Sequence, residues 1–523
     1  MSAPETLRRA TGRQRRAVLL CAGLAVAVAL VRLPSLAAAL SPDEGGFLLV
    51  ASQWGPGRSL YGDYWVERPP LLIAAFALAD RLGGAVGLRG LGLVAVACAV
   101  LAAAAVGALA ATGPARSRAA VMCAATAAVF LATPLFGTAE VDGELLATPL
   151  VMVGLALLLL ALRGHPGPAR AGYLLGAGGL GAAAVLVKQN EWDVFVVVAV
   201  LGATTLRAGR PARLGGRDLL TVAAGAALVG VLTVLGAAAL GTTPAALWDA
   251  VVVFRLDASQ VVGRSASPAT PHRLLLLLTA LVLSGAPLVV VLLVRRLRHA
   301  LPAGSLDLRA PAVAVLAWEL FVVLAGGSYW LHYLLVLVPG LVLGAAVLEA
   351  GHITGDHARR TATGPVLVWA GVVCAVALTW TGVHPGAPPE PAPVVSWLRS
   401  HTEVGDDGVI AYGQPDILQA AGLQSPYPDI WSLPVRVHDP QLRVLATLLA
   451  GERAPDWVVL TDGDLETWGI DATAGAAALR SRYSRVDVVD GYVIYHRRNP
   501  PPTDGVSRGL RRRGCPGPRP RYG

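Results

Sequence analysis

The chain has 523 residues, 54% of them hydrophobic and only 15% charged, with a formal net charge of +9. That balance excludes an ordinary soluble globule. The positive charge falls in short arginine clusters between long apolar runs, which is how membrane topology is written and not how a phosphate-binding face is built, so nucleic acid is not expected as a partner.

Residues 1–16 carry Arg8, Arg9, Arg13, Arg15 and Arg16 ahead of a first apolar run, Ala17 to Leu36, that is long enough to span and has no cleavage site. The run reads as a retained helix with a cytoplasmic N-terminus. The next stretch, 41–71, is then an outer loop, SPDEGGFLLVASQWGPGRSLYGDYWVERPPL. It places Asp43, Glu44, Asp63 and Glu67, with Arg58 and Arg68, between two apolar runs. Ionisable groups beside a bilayer are costly, so these are functional candidates. Pro69 and Pro70 open a short interfacial helix, since proline is tolerated in a first helical turn.

Further along, TAEVDGELLATP forms a second outer acidic segment with Glu140, Asp142 and Glu144, and VLVKQNEWD brings Lys188 to an outer span end. Lys188 is the sole lysine among 43 Lys and Arg. An outer loop follows at 241–273, and GGSYWLHY turns at the outer face with Tyr329, Trp330, His332 and Tyr333. Counting runs of roughly 20 residues gives about eleven spans within 17–382, with every arginine-dense short loop on one side. Cys21, Cys98, Cys123 and Cys374 lie in the spans and Cys515 in the tail. None is placed for a disulfide or a metal motif.

A proline-rich linker, 383–394, leads to a change of composition. SWLRSHT, DILQAAGL and GAAALRSRY read as helices, and GVIAYG, DWVVLTD and YVIYHRR as strands, giving a small extracytoplasmic α/β domain at 395–498. The tail 499–523 is Pro-, Gly- and Arg-rich and is expected to be disordered. The domain carries no nucleophile-elbow motif, and its expected role is acceptor binding or partner contact.

The order PDE, then LYGDYW, then ERPPL after a first span, with SYWLHY and VPGL later, resembles the GT-C glycosyltransferases. The resemblance is specifically to the family-39-like group, with the protein O-mannosyltransferases and the lipid A aminoarabinose transferases, in bacterial membrane members. It covers roughly the first 350 residues and implies an all-α polytopic membrane bundle of GT-C fold. It also implies transfer of a sugar, with inversion, from a polyprenyl-phosphate donor to a lipid, polysaccharide or protein acceptor outside the plasma membrane. Asp43 stands where the family has its catalytic acid, with Glu44 as supporting acid or as the cap of the following helix. Glu67 and Arg68 match an acid and base that precede Pro-Pro. There the acid ligates a divalent metal ion and the base meets donor phosphate, a role that arginine fills with a planar fork. Lys188 is implied in phosphate binding too.

His332 and His272 are candidate metal partners for Glu67, and Glu140 or Asp142 a second acid on the acceptor or metal side. Tyr61 and Tyr329 are candidate sugar contacts, although anchoring in the aromatic belt is the default for such residues. Two other readings fit the same composition: a polyprenyl-linked glycan transporter, which would place charges in mid-span, and a non-catalytic glycan-binding envelope protein of the same fold.

Overall fold

The computed structural model describes residues 3–54, 64–164, 166–208, 214–264, 267, 269–298, 306–350, 363–383, 392–461 and 463–498. Arg58, Tyr61, Asp63, most of the linker and the tail 499–523 lie outside the described residues.

The first helix, α1 (Ala3–Val31), runs into a 3-10 turn and then α2 (Pro42–Ser52). Ser41 starts α2 through a capping box: its Oγ accepts the Glu44 N–H at 3.3 Å and the Glu44 carboxylate accepts the Ser41 N–H at 2.9 Å. Two otherwise orphaned amides are satisfied in this way. The proline-opened helix is α3 (Pro70–Arg81), which buries Leu72, Ile73, Phe76 and Ala79 along one face. The bundle continues with α4 (Ala85–Ala110), α5 (Ala115–Ala132), α6 (Gly143–Arg163), α7 (Pro168–Val187), α8 (Asp193–Ala208) and α9 (Gly216–Ala239). A short α10 (Pro244–Trp248) passes through a π turn into α11 (Phe254–Arg264). Next come α12 (Thr270–Leu283) and α13 (Ala286–Arg296), bent by 59° where Gly285 takes a left-handed φ of 79°. The last bundle helices are α14 (Arg309–Ala325), α15 (Val338–Ala350), reached through the 3-10 turn Leu331–Leu337, and α16 (Thr363–Val383).

Among the described residues, eight helices are long and apolar enough to cross a membrane, or nine if the α12–α13 pair is one span. The difference from the expected count of about eleven lies in the sixth and ninth runs. These are α8 and α14, of 16 and 17 residues. At 1.5 Å per residue they reach only about 24–26 Å. Each carries a fully buried carboxyl, Asp193 on α8 and Glu319 on α14, and the two helices pack on each other. The chain is a multi-pass membrane protein.

The C-terminal part builds α17 (Ala392–His401), β1 (Gly408–Ala411), α18 (Pro415–Ala421), α19 (Ser432–His438), α20 (Arg443–Ala450), β2 (Trp457–Leu460), α21 (Thr473–Arg482), β3 (Tyr483–Val489) and β4 (Tyr492–Arg497). The sheet order is β1-β2-β4-β3, with β1 and β2 parallel and the other pairs antiparallel. Strand alternation sends Ile410 and Val459 into the core shared with the membrane bundle, and Val409, Val458 and Leu460 into a separate core on the other face. The domain is thus continuous with the bundle through one sheet face and α18, which lies on α2. Three of its elements, α19, α20 and β3, are not expected from sequence. The two helices have only 7 and 8 residues, and β3 is an edge strand exposed along most of its length.

Candidate active site

The first turn of α2 carries two neighbouring acids with opposite surroundings. Glu44 is 1% exposed. Besides closing the capping box, it takes both terminal nitrogens of Arg89 and accepts the Val141 N–H at 2.7 Å. Every lone pair has a partner, so Glu44 holds α2 to α4 and to the second acidic segment. Of the two readings for Glu44, the structure shows the cap, and no oxygen remains for catalysis. Asp43, by contrast, has a side chain 42% exposed. Its Oδ1 accepts the indole N–H of Trp431 at 3.0 Å, and its Oδ2 lies 4.0 Å from Arg68.

Arg68 is the centre of a compact charge cluster. It donates to Glu67 at 2.6 Å, and Arg255 of α11 approaches the same Glu67 oxygen at 3.7 Å. Burial alone would raise the Glu67 carboxyl, but the two guanidiniums outweigh it and hold the group below its ordinary value. Arg68 is likewise raised, with Glu67 and Asp43 outweighing its own burial. Gln189 ties the cluster together, donating to the carbonyls of Glu67 and Val251 and accepting from Arg255 at 3.4 Å.

The second acidic segment forms the start of α6. Asp142 is its N-cap, with Oδ1 accepting the Leu145 N–H at 2.8 Å. Lys188, at the end of α7, reaches Glu144 at 2.7 Å. His332 Nδ1 stands 3.8 Å from Asp142 and 3.9 Å from Glu140. Asp142, Glu144 and His332 each offer a ligand atom within 4.8 Å of the others and could hold a metal ion. The second oxygens of Asp142 and Glu144 are buried without hydrogen bonds. Burial and the nearby Glu144 push Asp142 well above the usual carboxylate range, a repulsion that a cation between the two would relieve. Burial also pushes Glu140 up to about 7, although 39% of its side chain stays open to water.

The metal pairing expected from sequence is therefore corrected. Glu67 is committed to two arginines, His332 belongs with Asp142 and Glu144, and His272 is exposed and joins neither group. Tyr329 lies half-buried on the bundle core with a left-handed φ of 55°, and Tyr61 is outside the described residues. Arg68 with Asp43, and Lys188 with Glu144, do come together. Sequence reasoning gave no role to Arg255, although it stands in an outer loop rich in charge. It gave none to Arg89 or Trp431, which carry no local motif.

These loops all meet at one end of the bundle. At the other end Arg163 donates to the carbonyls of Leu109, Ala110 and Ala111, and Arg118 pairs with Glu349 at 3.0 Å.

No protein-family model matches the chain, and no curated protein matches it in sequence. Solved structures do match. ArnT from Cupriavidus metallidurans bound to undecaprenyl phosphate aligns with a TM-score of 0.58 at 15% identity, over 91% of this chain and 97% of that one. Its apo state gives 0.57 at 15% identity, over 90% and 97%. The Archaeoglobus fulgidus oligosaccharyltransferase in complex with Zn and sulfate gives 0.52 at 14% identity, over 84% and 68%. The chain has the GT-C fold that these membrane glycosyltransferases share.

Proposed function

We propose that the protein is a membrane glycosyltransferase that moves a sugar, with inversion, from a polyprenyl-phosphate donor to an acceptor hydroxyl on the extracytoplasmic side. The observation that carries this is the half-exposed Asp43 carboxylate beside the Arg68–Arg255 pair, at the end of the bundle away from the arginine-rich loops. By the positive-inside rule that end faces outward, with the N-terminus cytoplasmic and the C-terminal domain outside.

In this reading Asp43 accepts the acceptor's proton as its oxygen attacks the anomeric carbon from the face opposite the phosphate. The bond from that carbon to the phosphate oxygen breaks, and the lipid phosphate leaves with its electron pair. Arg68 and Arg255 stabilise that charge with planar donors, and Lys188 adds a point charge from the α7 end. Glu67 holds the two guanidiniums in place. A divalent ion held by Asp142, Glu144 and His332 would supply further neutralisation of the phosphate. The likeness supports lipid-linked chemistry, since the ArnT structure binds undecaprenyl phosphate and the oligosaccharyltransferase was obtained with Zn. Tyr329 and Tyr61 are the proposed aromatic faces for the sugar.

The test is transfer in nanodiscs with a panel of labelled polyprenyl-phosphate sugars, comparing the native protein with Asp43→Asn. One donor should be consumed by the native protein, and the variant should lose about 10²–10⁴-fold in rate. If neither consumes any donor while both bind lipid-linked sugar equally, the transferase reading fails and transport or glycan binding takes its place.

A further inference from the structure

We infer that Trp431 of the C-terminal domain is a positioning residue for Asp43, so that this domain completes the catalytic centre and does more than cover it. The inference rests on the reading of Asp43 as the base.

Nothing within α2 fixes the plane of the Asp43 carboxylate, because the capping duties fall to Ser41 and Glu44. Two side chains from elsewhere approach it. Arg68 is 4.0 Å away and already bound to Glu67 at 2.6 Å. The Trp431 indole N–H is nearer, at 3.0 Å from Oδ1, and its direction is set by a rigid ring. With Oδ1 held, Oδ2 is left to take a proton. An isolated half-exposed aspartate would instead rotate among conformers, and orientation of the reacting group is a large part of catalytic rate.

The indole is itself held. Its ring packs on Phe47 with centroids 5.3 Å apart. At Gly46 a Cβ would overlap that ring and come within 2.6 Å of Pro415, and at Gly45 a Cβ would meet the Asp416 backbone at 2.5 Å. The two glycines that follow Asp43 and Glu44 are therefore the clearance through which the domain reaches the acid. The stretch leading to Trp431 also grips the outer loop. The Ser425 N–H donates to the Tyr64 hydroxyl at 2.8 Å, and the Trp65 N–H donates to the Pro428 carbonyl at 3.0 Å. The same segment thus touches the chain on both sides of the catalytic loop, at Asp43 and just before Glu67 and Arg68.

Trp431→Phe keeps an aromatic ring against Phe47 and removes the donor, together with part of the indole's packed volume. In full-length protein in nanodiscs it should lower kcat about tenfold, as expected for one lost hydrogen bond to a charged group. Donor KM should stay within about twofold, and the melting midpoint should fall only by the few degrees that the smaller ring's lost packing costs. An unchanged kcat overturns the inference, and so does a fall in kcat matched by a rise in KM, since that means general loosening of the site. A second measurement needs no turnover. The indole ¹H–¹⁵N resonance of Trp431, assigned by its loss in Trp431→Phe, should move upfield in Asp43→Asn, where a neutral acceptor replaces the carboxylate. If it does not move, the contact is absent and the inference fails. If it moves while the native protein transfers no sugar, the positioning contact stands and the transferase reading alone falls.

Discussion

Two helix starts meet at one end of the bundle, and each brings a pair of acids. At α2 the capping work is done by Ser41 and Glu44, which leaves Asp43 half-exposed between an indole and an arginine. At α6 the cap is Asp142, so the acid that would otherwise be free commits one oxygen to the Leu145 amide, while Glu144 is held by Lys188. The same residue types therefore produce different sites. The first has one carboxylate open to solvent, and the second has two buried carboxylates and a histidine converging on a point. What separates them is which residue supplies the cap.

The largest effects should come from breaking the division of labour within α2. Glu44→Gln leaves the Arg89 charge buried without its partner, and losing one member of a buried pair costs about 3–5 kcal/mol. The variant should therefore melt far below the native protein. Asp43→Asn, one residue away, should melt within about 2 °C of it, because a half-exposed acid outside the cap contributes little to stability. Thermal unfolding in detergent compares the two directly. A Glu44→Gln protein as stable as the native one would mean that Glu44 is not structural, and the contrast between the neighbours would collapse.

A smaller effect separates α2 from α6. Titration of the purified protein with Zn²⁺ should show one site, weakened at least about tenfold by His332→Ala, a loss at the low end for perturbed metal sites. Asp43→Asn should leave it unchanged. Equal affinity in His332→Ala would remove the cation role of α6 and leave Glu144 to its pairing with Lys188.

Much of this arrangement is legible in the sequence, for physical reasons that can be named. Apolar length and arginine clusters reveal the bundle, because the bilayer imposes both. Ser41-Pro42-Asp43-Glu44 reveals a helix start, because capping is local. What is not legible is pairing over distance. Glu44 meets Arg89 across 45 residues and Asp43 meets Trp431 across 388, and neither partner lies in a motif. The pairing of Glu67 with His332 fails for the same reason: both are chemically suitable ligands, but packing gives Glu67 two arginines and gives His332 two other acids. The count of about eleven spans includes α8 and α14, which at 16 and 17 residues are shorter than the other spans and each carry a buried carboxyl within the helix packing.

An effect confined to a window of pH concerns the seat of the C-terminal domain on the α2 turn. Asp416, in the first turn of α18, is 5% exposed against Gly45, and burial pushes its carboxyl up to about 6 while nearby backbone amides oppose the shift. A carboxyl whose folded value lies above its unfolded one binds its proton more tightly in the folded state. Its contribution to stability is then fully present below the unfolded value of 3.8 and is lost as pH rises through about 6. The slope in that window is at most about 1.4 kcal/mol per pH unit. Asp416→Asn, which keeps the shape and removes the charge, should flatten the pH dependence of the melting midpoint between about pH 4 and 6 and raise the midpoint above it. A variant that follows the native curve throughout would show that α18 does not bury this charge against α2. The close seat of the C-terminal domain on the α2 turn, and with it the difference between the two helix starts, would then lose its support.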